Sequence, residues 1–210
     1  RRTYPNWITR EGQRGMEYNA WGEPKNPPHY DTELVFTRML AGPMDFTPGI
    51  LSLMGRGNTP IPSTLARQLA YYVTIYSPIQ MAADLPENYE ANMPAFQFIK
   101  DVAVDWDDTR MLAGAVGDYA VIARKERGKP TWFLGGITDE EARSMTVPLS
   151  FLEPGRRYRA EIYRDGDDAD FRTNPRSIAI ERRTVTAADS MPIRLAAGGG
   201  IAVRFVPLGR

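Results

Sequence analysis

Glu11 and Glu17, near the start of the chain, are the residues whose type and spacing could do chemistry. They sit six apart in Trp7-Ile8-Thr9-Arg10-Glu11-Gly12-Gln13-Arg14-Gly15-Met16-Glu17-Tyr18-Asn19-Ala20-Trp21, with glycines at 12 and 15 between them. Glycine adopts backbone conformations that other residues resist, which suits a loop that aims side chains from a scaffold edge. Carboxylates presented in this way can bind a hard cation such as Ca²⁺, and one of them can act as a general acid where its pKa is raised. The same spacing also fits two solvated glutamates in an exposed loop, so spacing alone leaves both readings open.

The wording around them narrows the choice. Arg10-Glu11-Gly12, Arg14-Gly15-Met16-Glu17-Tyr18-Asn19-Ala20-Trp21, Lys25-Asn26-Pro27-Pro28 and Ala41-Gly42-Pro43-Met44-Asp45-Phe46-Thr47-Pro48-Gly49 follow one another in that order. Together they closely resemble the C-terminal part of glycoside hydrolase family 97, a family of α-glucosidases and α-galactosidases, and the resemblance runs the whole length of the chain. Those enzymes are longer, with a β-sandwich, then a (β/α)8 catalytic barrel, then a small β-sandwich. The resemblance therefore implies that this chain supplies the last barrel units over 1–103 and the C-terminal antiparallel β-sandwich over 104–210.

The family's acid lies in an Arg-Gly-x-Glu-Tyr-Asn motif, and Glu17 is the residue that matches it. Glu11 and Glu17 also match two of the family's Ca²⁺ ligands. Calcium takes six to eight oxygens, so two glutamates do not complete a site. The remaining ligands, and the base or nucleophile, are expected upstream of residue 1, in the remainder of the same enzyme. Tyr18, Asn19 and Trp21 are candidates for the sugar subsite, and an oligosaccharide is the implied substrate. The family also implies a periplasmic or extracellular bacterial location. The rival reading is a non-catalytic carbohydrate-binding or structural β-sandwich with a helical lead-in, in which both glutamates are ordinary loop residues.

The elements that must position these residues can be read from periodicity. Residues 1–30 read as a strand carrying Trp7 and Ile8, then an irregular loop from which Pro24, Pro27 and Pro28 exclude a helix. A helix is expected over Glu33–Ala41, capped by Asp31 or Thr32, stopped at Gly42 and burying Leu34, Met39 and Leu40. A short buried strand or turn follows over 43–51. Ser63 is the expected cap of a clearer helix in which Leu65, Leu69, Tyr72 and Tyr76 recur, and Pro94 opens a short helix with Phe96, Ile99 and Val102. Glu11 and Glu17 would then fall beyond the C-terminal end of a barrel strand, where such folds keep catalytic residues.

From about residue 106 the period changes to two. Strands are expected at 109–116, 119–124, 131–137, 145–151, 158–163, 178–184 and 201–205, separated by turns such as Gly117-Asp118 and Glu153-Pro154-Gly155. Two aspartate-rich runs, Asp105-Trp106-Asp107-Asp108 and Asp165-Gly166-Asp167-Asp168-Ala169-Asp170, invite a calcium reading. The second fails as an EF-hand loop, because its sixth position is Asp170 and its twelfth is Arg176. Both are expected as polar turns.

Composition excludes several classes. Lys plus Arg is 26 and Asp plus Glu is 26, so no excess of positive charge serves a nucleic acid partner. No apolar run reaches the length of a membrane span. Cysteine is absent, which removes disulfides and thiolate metal sites, and the single histidine, His29, is expected at the surface.

Overall fold

The computed structural model describes residues 6–209. Its frame is a six-stranded antiparallel sheet in the order β1-β2-β3-β8-β5-β6. The strands are β1 (Trp106–Ala115), β2 (Tyr119–Glu126), β3 (Trp132–Thr138), β5 (Tyr158–Asp165), β6 (Ile178–Val185) and β8 (Gly200–Pro207). A two-stranded sheet of β4 (Arg143–Pro148) and β7 (Ser190–Leu195) covers one face. Val147, Leu149, Met191, Ile193 and Leu195 pack there against Val121, Leu134, Ile162, Val203 and Phe205.

The opposite face carries the helices: α1 (Met16–Trp21), α2 (Pro28–Phe36), α3 (Leu65–Thr74), α4 (Pro86–Glu90) and α5 (Met93–Asp101). Because both faces are covered, the central strand β3 is buried at every position, and its continuous apolar run follows from that. α3 lies directly on the sheet. A Cβ at Gly135 would stand 2.8 Å from Ala70 O and one at Gly200 2.7 Å from Arg67 Cα, so two glycines allow the close approach. The helical half thus shares two hydrophobic cores with the sheet: Tyr71 packs with Ile122 and Ile137, and Leu69 and Phe98 with Phe133 and Ala202.

Behind α3 lies a buried polar network. Arg67 donates to Pro28 O at 2.6 Å, to Tyr71 Oη at 2.5 Å, to Asp31 at 3.3 Å and to Thr138 O. Tyr71 Oη donates to Asp31 at 2.5 Å. Burial pushes the Asp31 carboxyl up even with Arg67 beside it. A second buried carboxylate, Asp165, accepts from Thr64 Oγ1 at 2.7 Å and from the N–H groups of Ala196 and Gly200 at 2.9 and 2.8 Å. These contacts tie α2, α3 and the sheet into one unit.

Several expectations are corrected. Trp7 and Ile8 form no strand. They stand 48% and 53% exposed, and pairing there is a single parallel rung between Arg10 and Met44. A strand needs a partner along its length, and the described residues provide one rung. Prolines do not exclude a helix near residue 30, because Pro28 opens α2, where its missing N–H costs nothing. α2 ends at Phe36 and a 3-10 turn over Arg38–Ala41 follows, which leaves Leu40 82% exposed. The α3 cap is Thr64, whose Oγ1 accepts from Arg67 N, and not Ser63. β7 is an additional strand outside those expected; it carries Pro192, which a two-stranded sheet tolerates opposite Thr146. Asp165 is a buried carboxylate at a strand end, not part of a polar turn.

Candidate functional site

The Glu11–Glu17 stretch is held by its backbone. Arg38 acts as a clamp: its Nε donates to Glu11 O at 2.9 Å, its Nη2 to Arg10 O at 2.5 Å and its Nη1 to Gly42 O at 3.1 Å. The clamp sets the loop beside the 42–47 segment, where Asp45 N donates to Arg10 O at 3.2 Å. Gly12 takes a positive φ of 68°. Gly15 precedes α1, and a Cβ there would stand 2.8 Å from Phe46 O. That closeness lets Met16 N donate to Phe46 O at 2.7 Å.

Glu17 lies in the first turn of α1, where the helix dipole favours a negative charge. Its backbone N–H donates to Thr47 Oγ1 at 3.0 Å. Thr47 has φ 54°, a left-handed conformation that is strained for a β-branched residue. Such strain persists where surrounding structure imposes it, and it gathers at functional sites. Here it turns the Thr47 hydroxyl to the start of α1. The Glu11 and Glu17 side chains are both exposed.

The three aromatic and amide candidates separate. Trp21 is 58% exposed and meets Tyr18 edge-on at 5.1 Å. Tyr18 Oη donates to Glu23 O at 3.3 Å, and the Arg14 guanidinium lies 4.8 Å over its ring. Asn19 is turned inward instead: it is buried, its Oδ1 accepts from Asn26 N at 2.6 Å and its Nδ2 faces Met16 Sδ at 3.4 Å. Asn26 in turn donates to Gly15 O at 3.3 Å, so Asn19 and Asn26 brace the loop. His29 is at the surface, 3.0 Å from Glu140.

The donor chemistry suits a hard cation, since Glu11 and Glu17 offer carboxylate oxygens. Among the described residues no group of three His, Cys, Asp or Glu side chains gathers to hold a metal. Any such site therefore needs ligands from outside these residues. Both aspartate-rich runs are spoken for: Arg127 pairs with Asp105 at 2.6 Å, and Asp168 accepts from Ser177 at 2.5 Å and Asn174 at 2.8 Å. No helix among the described residues is long and apolar enough to cross a membrane.

Sequence reasoning missed Arg38, Thr47 and Asn26 as supports. They act through backbone groups, and the one available signal was that Asn26 and Thr47 fall inside the quoted motifs.

Comparison with known proteins gives the context. A family model described as "Glycosyl-hydrolase 97 C-terminal, oligomerisation" matches residues 105–206. A retaining alpha-galactosidase of Bacteroides thetaiotaomicron is 35% identical over 97% of this chain and 31% of its own length. A probable retaining alpha-galactosidase of Streptomyces bingchenggensis is 35% identical over 96% of this chain and 28% of its own. A glycoside hydrolase family 97 enzyme of Pseudoalteromonas sp. strain K8, solved in complex with acarbose, is 57% identical with a TM-score of 0.94. It is covered to 33%, while this chain is covered completely. The chain thus spans about a third of the length of the proteins it matches.

Proposed function

This chain belongs to glycoside hydrolase family 97, as the C-terminal portion of its enzymes, and from that membership we propose that it forms part of a calcium-dependent α-glycosidase hydrolysing terminal α-glucosidic bonds of oligosaccharides. Similarity weighs toward glucosides. The Pseudoalteromonas enzyme at 57% and 56% identity was solved with acarbose and with panose, whereas the named alpha-galactosidases stand at 35%.

The observation that carries the reading is the scaffold under Glu17: an N-terminal helical position whose N–H is fixed by a strained threonine, beside a clamped Glu11. In the proposed reaction Glu17 delivers a proton to the glycosidic oxygen as the bond breaks. A general acid keeps its proton in an enclosed site, so the exposed Glu17 is to be covered in the whole enzyme. Glu11, with Glu17, would hold Ca²⁺, which when bound supplies a fixed positive charge that orients sugar hydroxyls. Trp21, exposed and in T-shaped contact with Tyr18, offers ring surface on which a sugar can stack, and Asn19 serves by holding the loop. Residues 1–103, with the single Arg10–Met44 rung, would be the closing units of the (β/α)8 barrel, and 104–210 the sandwich domain. Family resemblance also supports a periplasmic or extracellular location.

The test is hydrolysis of aryl α-glucosides and α-galactosides by the whole enzyme that contains this chain, before and after chelation. Faster α-glucoside turnover that collapses on chelation, returns with Ca²⁺ and is lost in Glu11→Gln is the expected result. Activity indifferent to chelation would remove the calcium assignment, and a preference for α-galactosides would reverse the substrate.

A further inference from the structure

Beside Tyr76 and the start of β1 lies a cavity of about 290 Å³, lined among others by Tyr76, Asp105, Trp106, Thr109, Arg124 and Arg127. Arg124 is 7% exposed. Its Nε donates to Val73 O at 2.7 Å, its Nη1 to Thr109 Oγ1 at 2.8 Å, and its guanidinium lies 4.3 Å over the Tyr76 ring. No carboxylate pairs with it, and its Nη2 has no acceptor, among the described residues. Arg127 is fully engaged by contrast, with Asp105 at 2.6 Å, Asp107 at 3.4 Å and Trp106 O at 3.2 Å. Arg127 thus already carries two carboxylates, and Arg124 is the cation of this lining with which no carboxylate makes an ion pair among the described residues. A second donor without an acceptor belongs to the same lining: the buried indole N–H of Trp106.

Burying a cation without a counter-charge is costly, and a fold commonly relieves the cost by pairing it. Here burial pulls the Arg124 guanidinium down to about 10, against a small opposing effect of Tyr76. The planar fork of an arginine fits the two oxygens of a carboxylate or phosphate. We propose that this cavity is an oxyanion seat in which Arg124 holds a carboxylate or a phosphate. Two sources share that chemistry: a free ion, or an acidic side chain from a part of the enzyme outside this chain. The seat is independent of the glycosidase reading.

Thermal unfolding of the chain tests it, with chloride replaced by acetate or by inorganic phosphate at constant ionic strength. Wild type should show a saturable rise in Tm. The rise should vanish in Arg124→Met and require at least about tenfold more anion in Arg124→Lys, which keeps the charge and loses the fork. If Arg124→Met does not fold, Arg124→Lys carries the comparison. No response in wild type, or equal responses in wild type and the variants, overturns the proposal. In the longer enzyme a persisting response identifies a free ion, and a silent one identifies an internal carboxylate already in the seat.

Discussion

Thr64 is the joint between the helical half and the sheet, and replacing it with valine measures that joint. Its Oγ1 accepts from Arg67 N at 3.2 Å, capping α3, and donates to Asp165 Oδ1 at 2.7 Å. Valine preserves the shape, so no cavity confuses the result. Losing the cap costs about 1 kcal/mol, and losing a buried hydrogen bond to a carboxylate about 1.5–3 kcal/mol. The sum is about 3 kcal/mol. At an m-value of about 2 kcal/mol/M this lowers the urea midpoint by about 1.5 M with m unchanged. Tryptophan fluorescence during urea unfolding reads it, and Thr64→Ser should recover most of the loss. A Thr64→Val midpoint within about 0.2 M of wild type would refute the claim that one hydroxyl serves both partners.

Two further perturbations test neighbouring parts of the account. Burial raises the Asp165 carboxyl to about 6, against the hydrogen bonds from Thr64, Ala196 and Gly200. An acid whose folded pKa exceeds its unfolded value stabilises below the unfolded value and loses that contribution as pH rises through the folded one. From 3.8 to about 6 the change is about 3 kcal/mol. A carboxyl NMR titration placing Asp165 at or below 4 would contradict it. Gly15→Ala should lower stability by about 1–3 kcal/mol, because the new Cβ meets a backbone oxygen that cannot yield. An unchanged urea midpoint would show that the start of α1 does not depend on that approach.

The antiparallel strands were legible where apolar and polar residues alternate, as in β4, whose Met145 and Val147 face inward between exposed neighbours, and where glycine and aspartate mark the turns. The strand expected over 145–151 stops at Pro148, and β8 is buried on both faces. The strand lead-in was not legible, since Trp7 and Ile8 are apolar whether or not a partner strand is at hand. Nor was the covered outer face of the sheet, because β3 reads the same under a helix as under a second sheet. The candidate site divides in the same way. Glu11 and Glu17 stood out through their motifs, while the supports from Arg38 and Thr47 run through backbone atoms and a single strained φ, which side-chain patterns do not encode. Asn19 looked like a ligand-facing amide and is a brace, since a buried amide and an exposed one are identical in sequence.

The central claim is that Glu17 donates the proton to the leaving group, and leaving-group dependence tests it most directly. In the whole enzyme, Glu17→Gln should slow hydrolysis of maltose, whose departing sugar needs protonation, by about 10²–10⁴-fold. It should slow an α-glucosyl fluoride, which departs without a proton, far less. An equal loss on both substrates, or maltose turnover near the wild-type rate, would contradict the assignment.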